Sequence, residues 1–245
     1  MLYAEQQGPD DAPIVLLLHG LGVNGAAWDG VRAALPEGLR VVVPDFAGHG
    51  RSPRETNYSL GRHATDVAAL LTPGARVRIL GHSMGGAVGL ILASGWFGIT
   101  VERLVTIGMK MGWTAEETAK MGRPYPVRWF DTREAAAERF LLVTGMSKAA
   151  RPEALVVEHG IVQDEDGRWR LACDPETVRV VGPETPALIA AAKASGAEIH
   201  LVCGTEDPMV GLDEMRAFDP AAAQLPGGHN LHVETPAAVA GLLAG

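Results

Sequence analysis

Arg76-Val77-Arg78-Ile79-Leu80-Gly81-His82-Ser83-Met84-Gly85-Gly86 decides how the rest of this chain is read. Arg76 to Leu80 reads as a strand and Ala87 to Ala93 as a buried helix, so Ser83 falls on the turn between them. Small residues around such a turn let a serine hydroxyl stand exposed at the top of a sheet, the context of a nucleophile elbow. The pattern alone is weak. Glycine is 30 of 245 residues, so a G-x-S-x-G match arises by chance in about one such chain in four at an ordinary serine frequency. Its surroundings must supply the rest.

Short apolar runs bounded by turn residues recur on both sides of the elbow: Ile14 to Leu18, Leu39 to Val43, Val77 to Leu80, Arg103 to Ile107 and Ile199 to Cys203. They are uniformly apolar rather than alternating, as strands covered on both faces must be. Between them Ala26 to Leu35, Ser59 to Leu71, Gly86 to Gly95 and Pro186 to Ser195 have helical spacing. The fold class that follows is α/β, a doubly wound and mostly parallel sheet.

The alternation stops after Gly108 and resumes at Pro186. The expected organisation is a core of residues 1–108 and 182–245 with a cap or lid insert at 109–181. Thr114 with Glu117 and Asp131 with Glu134 have capping-box spacing and predict helix starts. Asp166-Gly167, between Ile161-Val162 and Trp169 to Ala172, predicts a small hairpin. Aromatic and thioether residues concentrate here, from Met109 and Trp113 through Trp129 to Phe140 and Met146. They suit either a lid over an apolar pocket or the inner packing of the insert.

Composition excludes several functions. A net charge of -8 with no run of Lys and Arg argues against a nucleic-acid partner and against an anionic membrane surface. Cys173 and Cys203 are the only cysteines, too few for a disulfide framework or a Cys-rich zinc site, and read as small core hydrophobes. Met1 to Pro13 has no basic segment followed by an apolar one, and no apolar run is long enough to span a bilayer. A cytoplasmic location is the expectation.

A serine hydroxyl is a poor nucleophile at neutral pH and needs a histidine in reach, itself oriented by a carboxylate. Gly227-Gly228-His229-Asn230 offers the histidine on a loop after the candidate strand Ala221 to Leu225. Gly204-Thr205-Glu206-Asp207-Pro208 offers the carboxylate just past Cys203. Both follow strands, and open α/β sheets gather ligands at the carboxyl ends of their strands. His19-Gly20-Leu21-Gly22 follows the first long strand and supplies an oxyanion donor from Leu21 N–H, with Gly22 as the alternative. Met84 N–H is the partner.

Together these stretches, with Pro44-Asp45-Phe46-Ala47-Gly48-His49-Gly50-Arg51-Ser52, resemble the α/β-hydrolase superfamily over nearly the whole chain outside the insert. The resemblance implies a cofactor-free serine hydrolase with Ser83 as nucleophile, Asp207 as acid and His229 as base, in the chain order this superfamily uses. It also implies a helical cap between the sixth and seventh strands. The short segment before Ile14 predicts a pared-down sheet. The superfamily pattern favours Asp207 over Glu206 or Asp213. A serine at the elbow separates the chain from branches that use a carboxylate nucleophile there.

The other histidines read differently. His49, with Asp45 and Arg51, is structural; His19 and His82 orient or pack; His63, His159 and His200 have no catalytic context; His232 is a weaker candidate for the base. Its spacing from His229 is one that metal ligands use, but no third ligand is placed, so no metal is expected. Gly22, Met109, Met111, Trp113, Trp129 and Met209 are the candidate substrate-binding residues, and predict an apolar pocket for a small to medium ester. Carboxylic-ester hydrolysis is the expected activity. Lactone, thioester or carbon-carbon cleavage shares the same machinery, and a ligand-binding protein without turnover is the non-enzymatic alternative.

Overall fold

Alternate residues of the apolar runs go to opposite faces of one sheet and into separate cores. Leu16, Leu18, Val42, Ile79, Leu104 and Leu201 pack in one cluster. Val15, Leu17, Val41, Val43, Leu80 and Val105 pack in the other. The period of two along a strand, with both faces covered, is why these runs are continuous rather than alternating. Leu16, Leu17 and Leu18 are all 0% exposed, and full burial of each side chain contributes about 1.5–3 kcal/mol before conformational entropy is subtracted.

The computed structural model describes residues 1–180 and 185–243. The boundary between insert and core expected at 181/182 and the last residues, 244–245, lie outside them. The strands, numbered along the chain, are β1 (Ala4–Gln7), β2 (Ile14–Leu18), β3 (Arg40–Pro44), β4 (Arg76–His82), β5 (Thr100–Ile107), β6 (Ile161–Gln163), β7 (Trp169–Leu171), β8 (Glu198–Gly204) and β9 (Ala223–Leu225). The main sheet has seven strands in the order β1-β3-β2-β4-β5-β8-β9. Only β1 runs antiparallel to its neighbour, β3. β1 is the strand that sequence pattern missed, since the edge segment Ala-Glu-Gln-Gln carries no apolar alternation.

The helices are α1 (Asp29–Ala34), α2 (Leu60–Ala68), α3 (Met84–Leu92), α4 (Ala115–Met121), α5 (Arg133–Val143), α6 (Leu155–Glu158), α7 (Thr185–Ala194), α8 (Leu212–Arg216), α9 (Leu231–Glu234) and α10 (Pro236–Gly241). Helix α3 lies hard against the sheet: a Cβ on Gly85 would fall 2.2 Å from the Leu18 carbonyl oxygen. Any larger residue there would separate the elbow from β2. Among the described residues no helix is long and apolar enough to cross a membrane.

The segment between β5 and β8 holds α4, α5, α6 and the β6–β7 hairpin, followed by α7, which leads into β8. It leaves after the fifth strand of the main sheet and returns to the sixth, so one strand fewer precedes it than the family resemblance implied. The Thr114–Glu117 capping box forms as predicted at α4. At α5 the cap is Thr132, whose hydroxyl accepts from Ala135 N–H at 3.2 Å, one residue beyond the expected Asp131. Phe140 and Met146 pack inside this segment with Ala136, Leu141 and Val157. Met121, Tyr125 and Phe130 instead line a cavity between it and the sheet.

Candidate active site

The turn from β4 to α3 puts Ser83 in a backbone conformation that L residues avoid, φ 50° and ψ -115°. It is the one non-glycine residue with positive φ among those described. Ser83 N–H donates to the Ile107 carbonyl at 2.8 Å and its own carbonyl accepts from Gly86 N–H at 2.9 Å, so β5 and the first turn of α3 hold the strain in place. Ser83 occupies the N-cap position of α3, yet its hydroxyl makes no capping bond. A serine there ordinarily satisfies a backbone N–H; this one's Oγ has no hydrogen-bond partner among the described residues.

Asp207 lies in the loop after β8 with its side chain fully buried. Oδ1 accepts from Met209 N–H at 2.8 Å and Val210 N–H at 3.2 Å. Oδ2 accepts from His229 Nδ1–H at 2.9 Å. This arrangement holds the imidazole by one nitrogen and leaves Nε2 for another partner. Glu206 and Asp213 are exposed and take no part in the contact. The two loops are tied together: Thr205 N–H donates to Leu225 O and Glu206 N–H to Gly227 O, both at 2.9 Å. Gly204 is required at their closest approach, because a Cβ there would fall 2.1 Å from the Gly228 carbonyl.

His229 is held from several sides. His82 Nε2–H donates to the His229 carbonyl at 3.1 Å, and the two rings are 4.8 Å apart. Asn230, also buried, donates from Nδ2 to the Thr144 carbonyl at 3.0 Å and links the His229 loop to the segment after α5. Burial, reinforced by His232 and His229, holds His82 well below the ordinary histidine pKa. Burial likewise pulls His232 down to about 3. Both are neutral rings in the neutral pH range. His232 packs on Trp28 and His82, with ring centres 4.7 and 4.2 Å apart.

Ser83, His229, Leu21, Gly22, Met84, Met109, Trp113 and Met209 line one cavity of about 1380 Å³. Among the described residues neither Leu21 N–H nor Met84 N–H donates to a protein acceptor. The loop carrying Leu21 is set by His19, whose Nδ1–H donates to Gly20 O at 2.8 Å while Nε2 accepts from Phe46 N–H at 2.9 Å. The backbone N–H of Phe46 can only donate, so it fixes the tautomer. Asp45 serves the neighbouring turn, accepting from Gly25 and Arg51 backbone N–H groups.

Two expected pocket residues are elsewhere. Met111 is 1% exposed and packs in the core cluster on the α3 face of the sheet. Trp129 is 37% exposed with Arg168 stacked 4.6 Å above its ring; pairing of Phe130 with Trp169 turns it to the outer side of the hairpin. Cys203 is core, as expected. Cys173 differs, lining the cavity with its thiol 3.2 Å from Thr177 Oγ1. Sequence reading also missed Gly108, Asn230 and the cationic side chains of the cavity wall. Gly108, φ +61°, directly after β5, was open to detection as a glycine at a strand end. Among the described residues no three His, Cys, Asp or Glu side chains converge as a metal set.

A doubly wound sheet with a serine on the strand-to-helix elbow, and a hydrogen-bonded acid and histidine on later strand ends, is the arrangement of an α/β hydrolase. The chain belongs to the alpha/beta hydrolase family, whose profile matches residues 15–242. It is similar to the pimeloyl-acyl-carrier-protein methyl ester esterase of Aeromonas hydrophila, 33% identical over 165 residues, which cover 64% of this chain and 62% of that protein. It is also similar to the 3-hydroxybutyrate-oligomer hydrolase of Cupriavidus necator, 30% identical over 209 residues, 80% of this chain and 70% of that one. With an uncharacterized protein of Mycobacterium bovis the likeness is 39% over 98 residues, so 39% of this chain spans only 28% of that protein's length. In three dimensions it matches a hypothetical protein from Pseudomonas aeruginosa, with TM-score 0.77, 27% identity and coverage of 99% of this chain and 94% of that one. The thioesterase domain from the curacin biosynthetic pathway has the same fold, with TM-score 0.79, 21% identity and the same coverages of 99% and 94%.

Proposed function

We propose that this hydrolase is a serine carboxylesterase that works through an acyl-enzyme without a cofactor. The observation that carries the reading is the 2.9 Å contact between His229 and buried Asp207 in the loop pair that faces the Ser83 cavity. Ser83 Oγ attacks the ester carbonyl as His229 takes its proton, and Asp207 stabilises the imidazolium. Leu21 and Met84 N–H groups receive the oxyanion. His229 then protonates the departing alcohol. Water, deprotonated by the same histidine, attacks the acyl-enzyme and releases the acid and Ser83.

Residues 109–181 act as the lid in this reading, with Met109 and Trp113 giving the reacting end of the pocket an apolar wall. The two relatives named as acting on a methyl ester and on hydroxybutyrate oligomers support ester cleavage as the reaction class. The test uses a fluorophosphonate probe and short p-nitrophenyl esters. Ser83 is expected to take the label, and Ser83→Ala to lose both labelling and turnover. Undiminished hydrolysis by that variant would overturn the mechanism.

A further inference from the structure

The insert contributes Arg128, Arg139, Lys148 and Arg170 to the cavity wall, from the segment before α5, from α5, from the loop after it and from β7. The carboxylates on the wall, Glu206 and Glu234, come from the opposite side, beside the loops of Asp207 and His229. Lys110 is also present but is neutralised by Glu117 at 2.7 Å. None of the other four has a carboxylate in ion-pair reach among the described residues, although acidic residues outnumber basic ones in the chain, 29 to 21. The insert side of the cavity is therefore positive inside a negative protein.

Arg139 and Arg170 are the half-buried members. Arg170 uses one nitrogen on the Leu171 carbonyl at 2.9 Å, and burial and then the charge of Arg54 press it below the usual arginine range. The acid whose charge acts on it most, Asp174, is already occupied, accepting from the Tyr58 hydroxyl at 2.9 Å and pairing with Arg54 at 4.0 Å. The charge of Arg139 reaches Tyr125, whose phenol is held above the usual tyrosine range by partial burial and by the neighbouring Cys173 thiol, and stays protonated as a donor. Guanidinium groups withdrawn from water without a counter-charge cost free energy that an incoming anion removes, and their planar forks suit carboxylate and phosphate oxygens.

We infer that Arg139 and Arg170, with Tyr125 O–H, form an anion subsite, and that the substrate carries a carboxylate or phosphate remote from its scissile bond. The inference rests on the ester-cleavage reading for its chemistry and names the substrate class of that same site. Arg128 and Lys148, exposed at the rim, add attraction over distance rather than a fixed contact.

The experiment compares p-nitrophenyl esters of ω-carboxy acids with esters of the matching uncharged acids, and an acyl phosphopantetheine thioester with its dephosphorylated form. At least one charged member is expected to exceed its neutral partner by about tenfold or more in kcat/KM, mainly through KM. Preference in the ester series identifies a carboxylate on the acyl side; preference in the thioester series identifies a phosphate on the leaving group. Arg139→Gln with Arg170→Gln is expected to remove the preference while neutral-ester turnover continues, which also shows that the variant folds. Arg→Lys at both positions is expected to restore part of it. Neutral-ester turnover with no charge preference, or a preference surviving the double variant, would overturn the subsite. If no ester or thioester is turned over, the esterase reading fails by itself, and calorimetry with adipate and inorganic phosphate decides the subsite. Binding lost in the double variant supports it; equal or absent binding in both proteins overturns it.

Discussion

His82, the residue before the elbow serine, donates from Nε2 to the carbonyl oxygen of His229 at 3.1 Å. One short stretch thus supplies both the nucleophile and a restraint on the base in the proposed mechanism. A neutral ring serves best here, because a positive charge 4.8 Å from the His229 ring would oppose the imidazolium that must form there.

Replacing His82 by Ala should therefore act through His229. The expected result is a loss of about ten- to a hundredfold in kcat with KM little changed, since a misplacement of about 1 Å costs on that order. His82→Gln, which keeps a donor, should recover part of the loss. Steady-state kinetics of both variants, with the pH profile of kcat/KM, make the check; a purely structural role would leave that profile unmoved.

Gly108 gives the second prediction. Its φ is +61°, and a Cβ built there would lie 3.1 Å from both Cε1 and Nδ1 of His229. Gly108→Ala should lower stability by about 1–2 kcal/mol for the left-handed backbone. It should also reduce kcat by pressing on the imidazole. Urea denaturation and ester turnover measure the two effects separately.

The elbow stores strain that a glycine would release. Ser83→Gly should abolish turnover yet raise the urea midpoint, since a non-glycine residue in such a conformation costs roughly 1–3 kcal/mol, offset in part by the greater entropy of glycine in the unfolded chain. Ser83→Ala should abolish turnover without that gain. A lower midpoint for Ser83→Gly than for Ser83→Ala would contradict stored strain.

Acid sensitivity follows from the buried histidines. Burial holds His63 and His232 at about 3, below the ordinary 6.5, so below pH 6.5 the unfolded chain takes up protons that the native state refuses. Stability is then full above pH 6.5 and falls as pH drops toward 3. At pH 5 the loss is about 2 kcal/mol for each ring. His19 and His82 act in the same direction. His49, raised through Cys173 against the effect of its own burial, acts oppositely and loses its contribution as pH rises. Urea midpoints at pH 7.5 and 5 give the slope, and His63→Gln should flatten it.

The central strands, the hairpin at Asp166-Gly167 and the helices around the elbow were legible in the sequence, because burial on both faces leaves continuous apolar runs and turns need particular residues. Edge strand β1 was not, since its polar residues face solvent and only its backbone is recruited by β3. Ser83, Asp207 and His229 could be nominated because each stands at the end of a readable strand. The cationic side chains among the apolar lining, Arg128, Arg139, Lys148 and Arg170, could not be foreseen, because they are scattered along the insert and form no charged run.

Local spacing and burial along one segment were enough to read the central strands, the helices beside them and the strand ends at which Ser83, Asp207 and His229 stand. Tertiary structure alone decided that His82 restrains His229, that Gly108 leaves room for its ring, that Met111 and Trp129 turn away from the cavity, and that distant arginines share one wall. Those are relations through space between segments far apart in the chain, set by how the insert and the loops close over the sheet.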